Sequence, residues 1–401
     1  MISNRLLINN AQIVTLSGVQ EGSLIIEDGK IVEILPVGNN ETAINSKDEI
    51  IDAEGCYVMP GLIDMHSDAL EKEIQPRPNT FFPLHMSFFE LEKKLAGCGV
   101  TTIYHSLSLA DGVGVRDDAM VVDVIEHIVK LREERAMIHH RVHLRYEVTN
   151  LIGMSTVKNL INTKQIDLLS IMDHTPGQGQ FTEKDTYENY LVKTYGVRDE
   201  QLRLMVETLK SNSKLIEWEQ IRDMVQHAIQ HDIVVASHDD DTIEKVDLMI
   251  DYGVTISEFP INLTAAQYSH EQKLLVVVGS PNLVRGVSHS NNMKAIDAIK
   301  AGYSDAICSD YLPSSMLPAV FMLHQKENMP LHQAVAMVTA NPAAKLGIGD
   351  RVGSIEPGKM ADLVFVKLHN GYPLVHRTLV NGETIYYAKP FHSQAKEISY
   401  A

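Results

Sequence analysis

Between Val58 and Asp310, short apolar runs alternate with stretches of helical periodicity. This alternation constrains the fold more than any other feature. Val100–Ser106, His143–Val148, Ile166–Met172, Ile233–Ala236, Val254–Glu258, Leu274–Val278 and Ala306–Cys308 read as strands. Between them, Val121, Val124, Ile125, Ile128 and Leu131 share one helical face, and Trp218, Ile221, Val225, Ala228 and Ile229 share another. Strand–helix alternation gives parallel strands joined by crossover helices. With the strand before His66, about eight strands fall within roughly 290 residues, which suits an α/β fold of the (β/α)8 barrel type. An open doubly wound sheet is the runner-up.

The two ends differ from the middle and resemble each other. Both consist of short strands with turn signals: Asp28-Gly29 near the start and Asn381-Gly382 near the end. We expect residues 1–56 and 346–401 to form one small β-sandwich domain, and residues 57–345 the barrel.

The charge balance excludes some partners. There are 35 basic and 52 acidic residues, a net charge of −17. Nucleic-acid binding needs a basic face, so none is expected. The apolar run Leu274–Val278 is too short to span a bilayer. Met1–Asn10 holds no apolar core of a signal peptide, so a cytoplasmic protein is expected. Cys56, Cys98 and Cys308 are sparse and odd in number, which reads as buried thiols and not as a disulfide scaffold.

In a barrel, chemistry sits just past the C-terminal ends of the strands. The polar groups there are His66 and Asp68, Arg145 and Glu147, His174, His238, Glu258 and Asp310. Imidazoles and carboxylates on rigid strand ends are what a divalent cation needs. His66, Asp68, Glu147, His174, His238 and Asp310 are therefore candidate ligands for one or two ions. Zn heads the choices, and mixed nitrogen and oxygen donors also accept Mn, Fe or Ni. Glu147 has the alternative of pairing with Arg145, and Glu258 that of pairing with a cation. His105, His139, His140, His227 and His231 read as structural histidines. There is no Walker A sequence and no Gly-x-Ser-x-Gly elbow.

Val58-Met59-Pro60-Gly61-Leu62-Ile63-Asp64-Met65-His66 resembles the first-strand signature of the amidohydrolase superfamily. Gly353-Ser354-Ile355-Glu356-Pro357-Gly358-Lys359-Met360-Ala361-Asp362 resembles its C-terminal signature. His66-Ser67-Asp68 departs from the usual His-x-His and is similar to the PhnM branch, which serves carbon–phosphorus lyase pathways. His143-Leu144-Arg145-Tyr146-Glu147, Met172-Asp173-His174-Thr175-Pro176-Gly177-Gln178, Ser237-His238-Asp239-Asp240, Ser257-Glu258-Phe259-Pro260 and Ser288-His289-Ser290 agree with that branch in order.

The resemblance implies a metal-dependent hydrolase of acid anhydrides. Its substrate would be α-D-ribose 1-methylphosphonate 5-triphosphate, split to the 5-phosphate and pyrophosphate. It also implies Asp310 as the proton acceptor from water, with Glu258 orienting a ligand or a substrate hydroxyl. Such a small phosphorylated sugar carries many negative charges, and Lys72, Arg77, Arg145, Arg285 and His289 are the candidate cations near strand ends. Asn291 stands where that branch has glycine, and asparagine tolerates left-handed backbone better than most residues. Residues 182–214, with Tyr187, Tyr190, Lys193, Tyr195 and Arg198, suit a lid or a homo-oligomer contact. The competing readings are amide, cyclic imide or deamination chemistry on the same scaffold, and a non-catalytic subunit that keeps the barrel.

Overall fold

Leu168-Leu169-Ser170-Ile171-Met172 is buried throughout, as a strand covered on both faces must be. It is one of eight parallel strands in one sheet among the described residues. The structure, a computed structural model, describes residues 5–38, 48–175, 199–288 and 292–389. In chain order the strands are β1 (Arg5–Thr15), β2 (Gly18–Glu27), β3 (Lys30–Pro36), β4 (Glu49–Asp52) and β5 (Tyr57–Pro60). The barrel follows as β6 (Leu62–Ser67), β7 (Val100–Leu109), β8 (His139–Glu147), β9 (Leu168–Met172), β10 (Val234–His238), β11 (Ile256–Glu258), β12 (Leu275–Gly279) and β13 (Ala306–Cys308). The chain returns through β14 (Leu363–His369), β15 (Tyr372–Val380) and β16 (Glu383–Tyr387).

Strands β6 to β13 pair in sequence order, each parallel to the next. Helices lie between them. The helix Asp118–Glu134 buries Val121, Val124, Ile125, Ile128 and Leu131, the face its periodicity marks, and Asp117 caps its start by accepting from the Ala119 and Met120 amides. On the strands, Leu169, Ile171, Val235, Val276 and Ile307 pack in the outer core with the helices. Leu168, Ala236, Ile256, Val277 and Cys308 fill the interior, where Leu346, Ile348 and Val352 join them. Those last three residues belong by sequence to the C-terminal segment, yet they plug the barrel. With the interior filled this way, polar side chains gather at the C-terminal ends of the strands.

Closure of the barrel is short. Ser67 bridges Asp310 in parallel fashion. The Asp310 amide donates to the His66 carbonyl at 3.0 Å, and the Asp68 amide to the Asp310 carbonyl at 2.6 Å. Further from the mouth, the Val338 and Met337 carbonyls enter the seam and accept from Ile63 and Ile307, both at 2.9 Å. They satisfy strand donors that a gap would leave buried and unpaired.

The chain ends share a mixed sheet in the order β16-β15-β14-β5-β1-β2-β3, with β4 beside β1. Ile8, Ile13, Leu24, Val58, Leu363, Phe365 and Leu379 meet in one core, so the sheet folds over on itself as a sandwich does. The two apolar runs at Leu6 and Gln12 are one strand, β1, with an irregularity between Ile8 and Ala11. Asp28-Gly29 has φ of 52° and 78°, and Asn381-Gly382 has 51° and 78°, the left-handed pairs of tight hairpin turns. These turns come from opposite ends of the chain and abut. A Cβ on Gly29 would lie 2.6 Å from the Asn381 carbonyl oxygen.

Gly29→Ala is therefore expected to cost about 2–3 kcal/mol, from left-handed backbone plus the collision. Gly38→Ala is the control, with φ of 94° but open space around its Cβ position. Urea unfolding should show the larger loss for Gly29→Ala; equal losses would deny the turn-to-turn contact any part.

Candidate metal centre

The mouth of the barrel holds a cavity of about 640 Å³. Two clusters of histidine and carboxylate face it. In the first, His66, Asp68 and Asp310 bring ligand atoms within 4.8 Å of one another. In the second, His174, His238 and Asp239 do the same. Glu147 adjoins the second cluster: its Oε2 takes a hydrogen bond from His174 Nδ1 at 2.8 Å, and its Oε1 accepts from the His174 amide at 3.1 Å.

Backbone geometry aims these groups. Asp239, Phe259 and Asp310 each follow shortly after a barrel strand, with φ of 53°, 54° and 56°. Left-handed backbone at non-glycine residues costs about 1–3 kcal/mol and persists where the surroundings enforce it. Here each turned amide is held by the next strand in the barrel. Asp239 donates to the Glu258 carbonyl, Phe259 to that of Val277, and Asp310 to that of His66, at 2.9–3.0 Å. The Phe259 ring then lies edge-on to both His66 and His238, with centroids 4.8 and 5.3 Å away.

The charges are strongly coupled. Burial and the nearby Asp68 carboxylate push Asp310 up to about 7. Burial alone would raise Asp68 as well, but the Arg145 guanidinium, with help from His66, holds it below the usual carboxylate range. Arg145 Nη1 sits 3.2 and 3.3 Å from the two Asp68 oxygens, and Nη2 lies 3.1 Å from His238 Nε2. Burial opposes a charge on His174, yet Glu147 and Asp239 lift it to about 9. Glu258 is fully buried under His66, and despite that burial His143 and His66 hold it well below the ordinary range. Burial keeps His143 neutral, at about 3.

A divalent ion fits these residues. His66 Nε2 is a buried polar atom without a hydrogen-bond partner, and His238 Nδ1 and Asp239 Oδ2 face each other at 3.2 Å beside the cavity. Imidazole nitrogen and carboxylate oxygen are the donors such an ion takes.

The structure brings all six expected ligands to one cavity. It treats the expected cations differently. Lys72 is exposed on the cavity wall. Arg145 is 5% exposed and committed to Asp68 and His238. Arg77 and Arg285 are exposed and do not line the cavity. His289 lies outside the described residues, as do Asn291, Tyr187, Tyr190, Lys193, Tyr195 and Arg198. Of the segment 182–214, the helix Asp199–Asn212 is described and contributes Leu204, Thr208, Leu209 and Asn212 to the cavity wall.

Four residues at or behind the site were not singled out from the sequence: Asp239, Arg116, Glu71 and His143. Arg116 lines the cavity, pairs with Glu71 at 3.0 and 3.1 Å, and reaches to 3.6 Å from Asp68. His143 had a signal, because it alternates with Arg145 and Glu147 along one strand and so shares their face. The histidines read as structural have structural partners. His105 meets His140 at 2.8 Å, His140 meets Glu92 at 3.0 Å, and His139 meets Asp362 at 2.9 Å.

Known proteins are similar to this chain in sequence and fold. The amidohydrolase family model matches residues 195–396. The chain is 32% identical over 390 residues to the alpha-D-ribose 1-methylphosphonate 5-triphosphate diphosphatase of Escherichia coli (strain K12), covering 95% of this chain and 100% of that protein. It is 23% identical over 403 residues to the imidazolonepropionase of Thermoanaerobacter pseudethanolicus, covering 92% and 90%. Among solved structures, N-acetylglucosamine-6-phosphate deacetylase from Pasteurella multocida superposes with a TM-score of 0.61 at 14% identity, over 95% of this chain and 99% of that one. Ochratoxinase of A. niger superposes with a TM-score of 0.65 at 12% identity, over 96% of each chain. These two likenesses concern the fold.

Metal analysis of the purified protein is expected to find a bound divalent ion. His66→Ala and Asp310→Ala should weaken its retention during dialysis against a chelator by at least about tenfold. Full retention in both variants would remove the first cluster from the metal centre.

Proposed function

The chain belongs to the amidohydrolase family, and from that premise we propose that it is a metal-dependent diphosphatase. Its substrate would be α-D-ribose 1-methylphosphonate 5-triphosphate, and its products the 5-phosphate and pyrophosphate. The observation that carries this reading is the match at 32% identity to a diphosphatase of that specificity, which runs the full length of that protein. The barrel mouth supports it with six candidate ligands around one cavity. Residues 57–345 are proposed as the catalytic domain, with 1–56 and 346–401 as its β-sandwich companion, from which Leu346, Ile348 and Val352 reach into the barrel interior.

In this reading His66, Asp68 and Asp310 hold an ion, and Glu147, His174 and His238, with Asp239, form the companion ligand set. A bound divalent ion supplies electrophilic activation of water and of phosphoryl oxygens, with Zn first among the candidates and Mn, Fe or Ni also suited. The protein groups do the rest. Asp310, whose carboxyl burial and Asp68 push up before any ion binds, is the base in this reading, and its carboxylate takes the proton of the attacking water. The water oxygen bonds to phosphorus as the bond to pyrophosphate breaks. Lys72, exposed on the wall, is placed to meet the phosphates. Arg145 keeps Asp68 ionised and leaves the phosphate contacts to others. The Leu204–Asn212 wall and Phe259 shield the reacting centre from bulk water.

One observation favours a second reading, amide or cyclic imide hydrolysis. The cavity's guanidinium groups are already paired, Arg116 with Glu71 and Arg145 with Asp68, which leaves little free positive charge for a triphosphate.

Phosphorus NMR on the metal-loaded enzyme separates the two. Pyrophosphate and the 5-phosphate are expected from the triphosphate, with kcat lowered about 100- to 10,000-fold in Asp310→Asn. Turnover of a hydantoin or an acyl amino acid, with the triphosphate untouched, would transfer the assignment to the second reading.

A further inference from the structure

Behind His66, away from the cavity, lies a third group of convergent ligand types: His66, His143 and Glu258, within 4.8 Å of one another and all buried. Taken by composition this is another cation site. Its hydrogen bonds give it a different task.

The Ser67 amide donates to Ser106 Oγ at 3.0 Å. Ser106 Oγ lies 3.1 Å from His143 Nδ1, and His143 Nε2 lies 2.7 Å from Ser170 Oγ. Ser170 Oγ donates to Glu258 Oε2 at 2.6 Å, and Glu258 Oε1 lies 3.2 Å from His66 Nδ1. Each of these residues is at most 1% exposed, so the contacts are shielded from bulk solvent.

The direction of every bond follows from counting protons. A hydroxyl has one proton to give, and Ser170 gives it to the carboxylate. Ser170 must then accept, so His143 carries its proton on Nε2. A neutral imidazole with Nε2–H has a bare Nδ1, so Ser106 donates to it. Ser106 accepts in turn from the Ser67 amide. At the other end, Glu258 only accepts, so His66 carries its proton on Nδ1. In the neutral ring the remaining nitrogen, His66 Nε2, then points an unshared lone pair into the first cluster, 3.9 Å from Asp68, and it has no hydrogen-bond partner.

We propose that this circuit is a tautomer lock. Ser106, His143, Ser170 and Glu258 are positioning residues that hold His66 as its Nδ1–H form and present Nε2 as the ligand atom. The proposal rests on the reading of His66 as a metal ligand. It also means that the group His66–His143–Glu258 holds protons and no ion, because every donor and acceptor facing inward is already engaged. The carboxylate behind a ligating histidine is a general device, since it fixes ring orientation and raises ligand basicity. What is particular here is that the carboxylate is itself fixed through three further side chains. The circuit returns to the amide next to the histidine it controls.

Nitrogen NMR of the selectively 15N-histidine-labelled protein, read without substrate, tests the lock directly. His66 should show the Nδ1–H pattern both with and without metal, whereas an Nε2–H pattern in the metal-free protein would overturn the proposal. Metal affinity by chelator competition gives the second readout. Ser170→Ala and His143→Phe should weaken binding about ten- to a hundredfold, and Ser170→Thr, which keeps the hydroxyl, should restore most of it. Unchanged affinity in both breaking variants would also overturn it. The wild-type spectrum decides even where a variant fails to fold. A protein that binds no divalent ion at all would instead refute the metal-dependent reading on which the lock depends. Loss of triphosphate turnover alone leaves the lock untouched.

Discussion

The barrel closes through the residues that carry its charge. Among the described residues one bridge, Ser67 to Asp310, joins the first strand to the last at the mouth. Its hydrogen bonds run from the Asp310 amide to His66 and from the Asp68 amide to Asp310. The backbone distances between three candidate ligands are therefore set by barrel closure itself and not by flexible loops. The seam carries further polar locks: Ser67 Oγ against Ser309 Oγ at 2.8 Å, and the Ser309 amide on Asp64 at 2.9 Å. Lower in the seam, the Met337 and Val338 carbonyls take the hydrogen bonds of Ile307 and Ile63. Closure at the mouth is thus forced onto the few residues around Asp310.

That geometry is electrostatically expensive without a cation. Buried carboxylates repel, and desolvation disfavours their charge, which is why Asp310 rises while Asp68 stays low only beside Arg145. The guanidinium is a fixed, pH-independent part of the solution. It links the two clusters, Asp68 on one side and His238 on the other. The second cluster balances itself differently, with His174 between Glu147 and Asp239. An acidic chain can therefore keep a carboxylate-rich pocket intact before any ion or substrate arrives.

Much of this was legible in the sequence, for identifiable reasons. Fully apolar runs mark barrel strands, and β13 (Ala306–Cys308) coincides with its run. Strand β8 starts four residues earlier than expected, because His139 to Val142 pairs with β7 although His139, His140 and Arg141 carry polar side chains. The six expected ligands share one cavity because strand ends fix where their side chains emerge. Asp239 escaped for a physical reason: alternation puts it on the face opposite His238, and only its left-handed backbone turns it back toward the site. The hydrogen-bonded seam at Met337 was also invisible, since it depends on tertiary pairing and not on periodicity. Arg77 and Arg285 lie near strand ends in sequence, but the direction in which a loop leaves its strand is not written in any local pattern.

The shared sheet of the two chain ends has a consequence for how the protein is made. Strand β5 takes β14 as a neighbour, and the Asp28-Gly29 turn rests on the Asn381-Gly382 turn. On a ribosome the early strands wait roughly 300 residues for these partners, or some 15–60 s at about 5–20 residues per second. During that interval Ile8, Ile13, Leu24 and Ile26 lack Leu363, Phe365 and Leu379, the late members of their core. The nascent chain thus carries an open apolar sheet while the whole barrel is synthesised. The period of greatest exposure to aggregation ends only when the last strands emerge.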